Sequence, residues 1–160
     1  PMRLMQLLRR LLRMNARQSA SSHTISQPIP QVTPDDVDRV VCRDFTADEY
    51  ATVKAMLSEY GTEKWHREPT RLQLAALKVA NGSVQKLRAC IDSAKIDYRD
   101  ALASAEYPAY LKKIGFRVRE FPEKERRRII DEDWRQYEEW LKRSAGNGPN
   151  RFGHRDFDNW

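Results

Sequence analysis

Residues 83–107 of the sequence read SVQKLRACIDSAKIDYRDALASAEY, and the spacing of their apolar side chains decides the fold class. These side chains follow one another at intervals of three and four residues, which places them on one face of an α-helix. They are Val84, Leu87, Ile91, Ala94, Tyr98, Ala101 and Ala105. The stretch therefore predicts one long amphipathic helix that begins at Ser83 and ends at Pro108.

The same spacing is heptad-like over three heptads, so the apolar face can pack in two ways. It forms either the seam of a coiled-coil dimer or an ordinary contact with a neighbouring helix of the same chain. The small side chains of Ala94, Ala101 and Ala105 allow another helix to approach closely in both cases. We favour the intrachain contact.

Helix start signals on both sides of this stretch predict the rest of the fold. Each signal consists of one or more of three features: a capping side chain, a proline at the first helical position and acidic residues in the first turn. Pro69 is expected to break or kink the helical stretch that Thr62 begins, and residues 116–121 are expected to form an extended connector. The start signals lie at Thr33, Thr46, Thr62 and Pro122. The predicted fold is all-α, a compact helical bundle of about five helices preceded by an N-terminal basic amphipathic helix.

The chain divides into four predicted parts. Residues 1–18 form the basic amphipathic helix, 19–34 a Ser/Pro-rich linker, 35–145 the helical bundle domain and 146–160 an irregular C-terminal tail. The first 34 residues contain five arginines and no acid, whereas residues 35–160 contain 24 basic and 23 acidic residues. The excess positive charge of the protein therefore lies in the N-terminal 34 residues, here called the N-terminal tail, rather than in the bundle.

The amphipathic helix carries two sets of candidate binding residues. Its leucines fill one stripe, and most of its arginines fall on the opposite face. A stripe of this kind docks into a protein groove, lies on an anionic membrane surface or serves as an organellar transit peptide, and we favour docking. The leucines are Leu4, Leu7, Leu8, Leu11 and Leu12, and the opposing arginines are Arg3, Arg10, Arg13 and Arg17.

A second basic region lies at residues 112–128 (KKIGFRVREFPEKERRR), with eight basic and three acidic residues. Lysine and arginine interleaved with phenylalanine are typical of nucleic-acid sites, where the cations contact phosphates and the rings stack on bases. The competing interpretation, which we favour, is that the run is solvated or makes only intramolecular contacts, with the acidic stretch 129–141 neutralised beside it and Phe116 and Phe121 as core anchors. The candidate anion-binding residues are Lys112, Lys113, Arg117, Arg119, Arg126, Arg127 and Arg128.

Composition and motifs argue against catalysis, metal binding and membrane spanning. No apolar run approaches the ~18–20 residues that a transmembrane helix needs. Glu63-x-x-His66 is only half of a di-iron motif, and Asp97 and Asp100 lie among basic residues. No nucleotide-binding or nucleophile motif occurs, so we predict no metal and no cofactor. Cys42 and Cys90 are expected to be free thiols in a reducing compartment, although a disulfide between them stays open.

Four short motifs between about residues 46 and 143 carry a resemblance to known proteins. They are Trp65-x-x-Glu68-x-x-Arg71-x-Gln73-Leu74-Ala75-x-Leu77-Lys78, Asp97-Tyr98-Arg99-Asp100, Ala105-Glu106-Tyr107-Pro108 and Ile129-Ile130-x-x-Asp133-x-x-Gln136-Tyr137-x-x-Trp140-Leu141. With these motifs the chain resembles an uncharacterised bacterial family of small helical proteins. The resemblance implies a bacterial source and a helical fold, carries no assigned activity and transfers no site.

These features predict a non-enzymatic protein-interaction or adaptor module that docks through its N-terminal helix, on a protein partner or by self-association. The alternative is a protein that binds nucleic acid or an anionic membrane surface through the tail and residues 112–128. The expected location is the cytoplasm, at the periphery of a membrane in the alternative.

Overall fold

The computed structural model describes residues 27–144, and within them every regular secondary-structure element is a helix and none is a strand. It contains seven α-helices and, between the sixth and seventh, a short 3-10 turn at Val118–Glu120. The predicted all-α class is confirmed, but the number of helices exceeds the five expected. The helices are α1 Pro34–Asp44, α2 Ala47–Ser58, α3 Pro69–Ala80, α4 Val84–Ala94, α5 Tyr98–Glu106, α6 Pro108–Lys113 and α7 Glu123–Lys142.

The long helix predicted for residues 83–107 is two helices, α4 and α5, so that prediction was wrong. Asp97 lies between them in an extended conformation, with φ −142° and ψ 103°. Its carboxylate accepts the backbone N–H of Arg99 at 3.0 Å and so begins a new helix. The apolar residues on either side of the break still lie in the core of the chain itself, with Ile91 and Ala105 buried.

Two prolines begin helices here, although we had expected Pro69 to interrupt one and Pro108 only to end one. Pro69 opens α3 and Pro108 opens α6, because a proline at the first helical position loses no intrahelical hydrogen bond. Residues 61–68 form turns rather than the helical stretch expected after Thr62. The expected extended connector at 116–121 contains the 3-10 turn instead.

Helix α3 is the centre of the fold, and α1, α4 and α5 pack against it. Its buried residues lie on several faces, as expected for a helix that is enclosed by others. The alanines of α3 and α5 let these two helices approach closely. The buried residues of α3 are Leu72, Leu74, Ala75, Ala76, Leu77 and Ala80.

Helix α7 contacts α5 and α6 and is tied to α1 at its carboxyl end. Arg39 and Arg43 of α1 donate to the carbonyl oxygens of Leu141 and Trp140, each at 2.7 Å. Carbonyls in the last turn of a helix lack the usual partner four residues on, although that of Trp140 also accepts the backbone N–H of Arg143 at 3.3 Å. The guanidinium groups are attracted to the negative end of the helix dipole. The guanidinium carbon of Arg43 in addition lies 5.1 Å from the centre of the Trp140 ring.

Residues 27–33, here called the entry segment, run along the bundle before α1 begins. Pro30 is buried, and Val32 packs against the core. The hydroxyl of Tyr107, which precedes α6, donates to the carbonyl oxygen of Pro28 at 2.5 Å. The part of the predicted linker that the structure describes is therefore held against the start of α6.

Candidate functional site

The candidate site is the run of residues 112–128, here called the basic–aromatic segment. It passes from the end of α6 through the 3-10 turn into the first turns of α7. Gly115 allows the chain to leave α6, because its φ of +45° disfavours residues with a side chain. A Cβ atom at this position would also lie 3.1 Å from the carbonyl oxygen of Leu111.

Phe116 projects fully into solvent, with a relative exposure of 109%. Leu111, just before the segment, is 41% exposed, so two large apolar side chains lie beside the cations Lys112 and Lys113. The expectation that Phe116 is a core anchor is therefore wrong. Phe121 is half-buried, and the guanidinium carbon of Arg117 lies 5.6 Å from the centre of its ring.

Most cations of the segment have no carboxylate partner among residues 27–144. Arg127 pairs with Glu123 at 3.0 Å, and Arg117 is 3.9 Å from Glu120 and donates to the carbonyl oxygen of Lys113 at 2.7 Å. The remaining six cations form no ion pair within this part of the chain. They are Lys112, Lys113, Arg119, Lys124, Arg126 and Arg128.

Within residues 27–144, no side chain of the acidic stretch 129–141 forms an ion pair with the segment, so the intramolecular form of the interpretation that we favoured is not seen there. Its solvated form agrees with the exposed lysines and arginines. Glu132 and Glu139 pair with Arg135 of the same helix, and Glu138 lies 3.7 Å from Lys142. Asp133 points inward and accepts backbone N–H groups of α6. Of the six cations without an ion pair in the described residues, Arg126 is half-buried and the other five are exposed to solvent.

The charge of the described part is divided unevenly. The segment has eight basic and three acidic residues, whereas the remainder of residues 27–144 has 14 basic and 18 acidic residues. A local excess of one sign on a neutral or opposite background attracts ligands of the other sign to that place. The excess positive charge of residues 27–144 is therefore concentrated in the segment.

A buried polar cluster lies between α3 and α5 and was not found from the sequence. Glu106 is 1% exposed, and its two carboxylate oxygens accept from Nε and Nη2 of Arg71, both at 2.6 Å. Arg71 also donates to Glu68 at 2.6 Å. The paired carboxylates raise the pKa of Arg71 above its ordinary value. The bidentate geometry satisfies both partners, so this pair joins α3 to α5.

Lys78 and Asp133 extend this cluster toward α7. Burial lowers the pKa of Lys78 to about 8, although its Nζ donates to the carbonyl oxygen of Ala105 at 2.5 Å and lies 4.8 Å from the centre of the Tyr137 ring. Asp133 accepts the N–H groups of Ala109 and Tyr110 at 3.0 and 2.8 Å, and burial raises its pKa. Each group contacts backbone or ring atoms of another helix, so the cluster is a structural network.

The other side chains considered for chemistry hold the local structure. Nδ1 of His66 accepts the N–H groups of Gly61 and Glu63 at 2.8 and 3.3 Å, and its ring stacks on Tyr60. Cys42 and Cys90 are free thiols, Cys42 being exposed, and burial raises the pKa of Cys90 to about 11. Among residues 27–144, no group of three or more His, Cys, Asp or Glu side chains is placed to hold a metal ion.

Several predicted site residues lie outside the described residues. They include the leucine stripe of Leu4, Leu7, Leu8, Leu11 and Leu12 and the arginines Arg3, Arg10, Arg13 and Arg17. The C-terminal residues 146–160 lie outside as well. None of the helices in residues 27–144 has the length and apolar character required to cross a bilayer.

Comparison with known proteins adds no relative. No protein-family model matches the sequence, and neither the curated proteins nor the solved structures contain a match. The resemblance to a bacterial helical family therefore stays a prediction, and the function has to be argued from the geometry of the chain.

Proposed function

We propose that this protein is a non-enzymatic binding protein that contacts a polyanionic partner through the basic–aromatic segment. The observation that carries the proposal is the full exposure of Phe116 beside Lys112, Lys113 and Arg119, three exposed cations that form no ion pair within residues 27–144. A fully exposed phenylalanine gains free energy when a partner covers it, and cations without intramolecular partners are available to phosphates.

The ligand class follows from the two kinds of side chain. Phosphate groups attract the lysines and arginines, and release of their counterions makes the affinity fall with salt concentration. The exposed apolar side chains need an apolar or π surface next to those phosphates. Nucleic acid and anionic lipid both offer this combination, and both share the phosphate chemistry that the cations recognise.

Charge reversal at matched sites tests the proposal. One triple variant reverses three exposed cations of the segment, and the control reverses three exposed cations elsewhere, so both change the net charge equally. The variants are Lys112→Glu/Lys113→Glu/Arg119→Glu and Lys64→Glu/Arg67→Glu/Lys86→Glu. Binding to generic RNA, duplex DNA and anionic vesicles is measured across a salt titration.

We expect the segment variant to lose most of its affinity at low salt and to show a shallower salt dependence than the control. For duplex DNA, three lost phosphate contacts flatten the slope of log affinity against log salt by roughly 3. Absence of binding to all three polyanions at low salt would overturn the proposal. An equal loss in the two variants would show that only net charge matters.

The docking hypothesis for the tail leucines stays a separate prediction, because these residues lie outside the described part of the chain. It expects that replacing Leu4, Leu8 and Leu11 by glutamine abolishes co-purification of a protein partner or self-association. Unchanged assembly in that variant would exclude it.

A further inference from the structure

We infer that the polyanion is a single-stranded nucleic acid and that one of its bases stacks on the ring of Phe116; this rests on the proposed function. Within residues 112–128, Phe116 is the only large apolar side chain that is exposed. An aromatic ring in solvent offers a flat face, and every nucleic-acid base has a matching π-face. Inside a duplex the neighbouring base pairs cover that face, so an exposed ring selects an unpaired strand.

The backbone on both sides of Phe116 is hydrogen-bonded, although the ring itself is exposed. Gly115 donates its N–H to the carbonyl oxygen of Tyr110 at 3.2 Å. Arg117 donates its N–H to the carbonyl oxygen of Ile114 at 2.7 Å, and Ile114 is itself only 1% exposed. A side chain whose backbone is already ordered loses less conformational entropy when a ligand covers it. The ring is therefore positioned for stacking before a ligand arrives.

Arg117, the next residue, adds a second flat group that also carries a positive charge. Its guanidinium carbon lies 5.6 Å from the centre of the Phe121 ring, and its Nη2 donates to the carbonyl oxygen of Lys113 at 2.7 Å. These two contacts hold a side chain that is still 59% exposed. Guanidinium planes stack on unpaired bases as aromatic rings do, and their charge attracts the phosphates as well.

Cations lie on both sides of Phe116 along the chain. Lys112 and Lys113 precede it by four and three residues, and Arg119 follows it by three. All three are exposed and form no ion pair within residues 27–144. Each nucleotide inside a strand has a phosphate on either side, so cations before and after the ring match the order of groups along the ligand.

The apolar content of the segment favours a nucleic acid over a lipid surface. A helix that lies in a membrane interface buries a continuous apolar face among the headgroups. Residues 123–128, at the start of α7, are all charged, and the apolar Ile129 and Ile130 that follow are buried. Helix α6 exposes one large apolar side chain, Leu111. These side chains do not form a continuous apolar face, whereas stacking on a base needs only one ring.

The test uses the full chain and measures binding to oligonucleotides by fluorescence anisotropy and to vesicles by co-sedimentation. The probes are oligothymidylate and oligouridylate of about 16 nucleotides, a DNA duplex of the same length, and vesicles of phosphatidylcholine and phosphatidylglycerol in equal parts. Phe116→Leu removes the ring but keeps an apolar side chain that can enter a lipid interface. Phe116→Tyr keeps a ring, and the control Tyr50→Leu removes a ring that is 37% exposed on α2. Phe116 is fully exposed, so circular dichroism should show unchanged folding in its variants.

We expect the wild type to bind a single strand more tightly than the duplex or the vesicles. Phe116→Leu should lose roughly 5- to 150-fold in affinity for the single strand, the effect of one stacked base, and keep its affinity for the duplex. Phe116→Tyr and Tyr50→Leu should bind as the wild type does. Equal or tighter binding of the duplex or the vesicles would overturn the inference and leave the electrostatic proposal standing. Wild-type affinity of Phe116→Leu for the single strands would do the same. Binding to none of the probes at low salt would refute both.

Discussion

The ion pair between Arg71 and Glu106 should be the most sensitive single contact in the described part of the protein. Replacing Arg71 by Met keeps the unbranched stem but removes both hydrogen bonds of 2.6 Å to a carboxylate that is 1% exposed. An unpaired charge in such a place costs about 3–5 kcal/mol. Domains of this size have unfolding free energies of about 5–15 kcal/mol, so the loss is a large fraction of the total.

The assay is equilibrium unfolding in urea, followed by tryptophan fluorescence, with the free energy extrapolated to water. The control is Arg135→Met, because Arg135 pairs with Glu132 and Glu139 on the exposed face of α7, with 60% of its side chain exposed. Removing an exposed pair costs only about 0–1 kcal/mol. The two arginines therefore differ in burial and not in the number of carboxylate partners.

A double variant separates the buried charge from the lost packing. Arg71→Met combined with Glu106→Leu removes both charges, and buried pairs replaced in this way are often neutral or stabilising. We expect the double variant to be more stable than Arg71→Met alone by about 2 kcal/mol or more. The reasoning is refuted if Arg71→Met costs no more than Arg135→Met, or if the double variant is no more stable than Arg71→Met alone.

Three further predictions concern the polar cluster and one turn. Burial lowers the pKa of Lys78 from 10.5 to about 8. Below pH ~8 Lys78 is therefore protonated in both the folded and the unfolded protein, and the folded protein bears the full cost of burying the charged ammonium group. The unfolding free energy should rise between pH ~8 and ~10.5, and Lys78→Met should remove up to about 3 kcal/mol of this rise, read from urea curves across that range. Asp133→Asn should lower the unfolding free energy by about 1–3 kcal/mol and weaken amide-exchange protection at the start of α6. Each carboxylate oxygen of Asp133 accepts one backbone N–H, whereas an asparagine has only one oxygen to accept both. Gly82→Ala should lower the thermal midpoint at a cost of about 1–3 kcal/mol, since φ is +78° and the new Cβ would lie 2.9 Å from the carbonyl oxygen of Asp44.

Local signals predicted the starts of α1, α2, α4 and α7, whereas the start expected at Thr62 was wrong and those of α3, α5 and α6 were missed. The capping boxes of Thr33 with Asp36 and of Thr46 with Glu49 are both present, because such a box needs only residues three apart. The same local reasoning missed the break near Asp97, where the apolar spacing continues unchanged across two helices. Apolar spacing shows which face of a helix is buried, but it does not show where the helix ends. A capping side chain can end one helix and begin the next while the apolar residues keep the same spacing.

The candidate site was found from the sequence, but its surroundings were not. The density of cations and the interleaved phenylalanines at 112–128 are visible in the printed residues. Whether Phe116 is a core anchor and whether nearby acids pair with the cations depend on where α6 and α7 lie. The structure exposes the ring, pairs Glu132, Glu138 and Glu139 with basic residues of α7 itself and directs Asp133 into the core.

The sequence by itself determined that the described part of the chain is helical, where most of its helices begin and where its positive charge is concentrated. These properties depend on residues a few positions apart, within the range of backbone hydrogen bonds and caps. Only the tertiary structure decided which polar groups are buried together, as in Arg71 with Glu106, and where the entry segment is held, by Tyr107 on Pro28. These partners are 35 and 79 residues apart, and no local pattern reports a contact that exists only after the helices have packed.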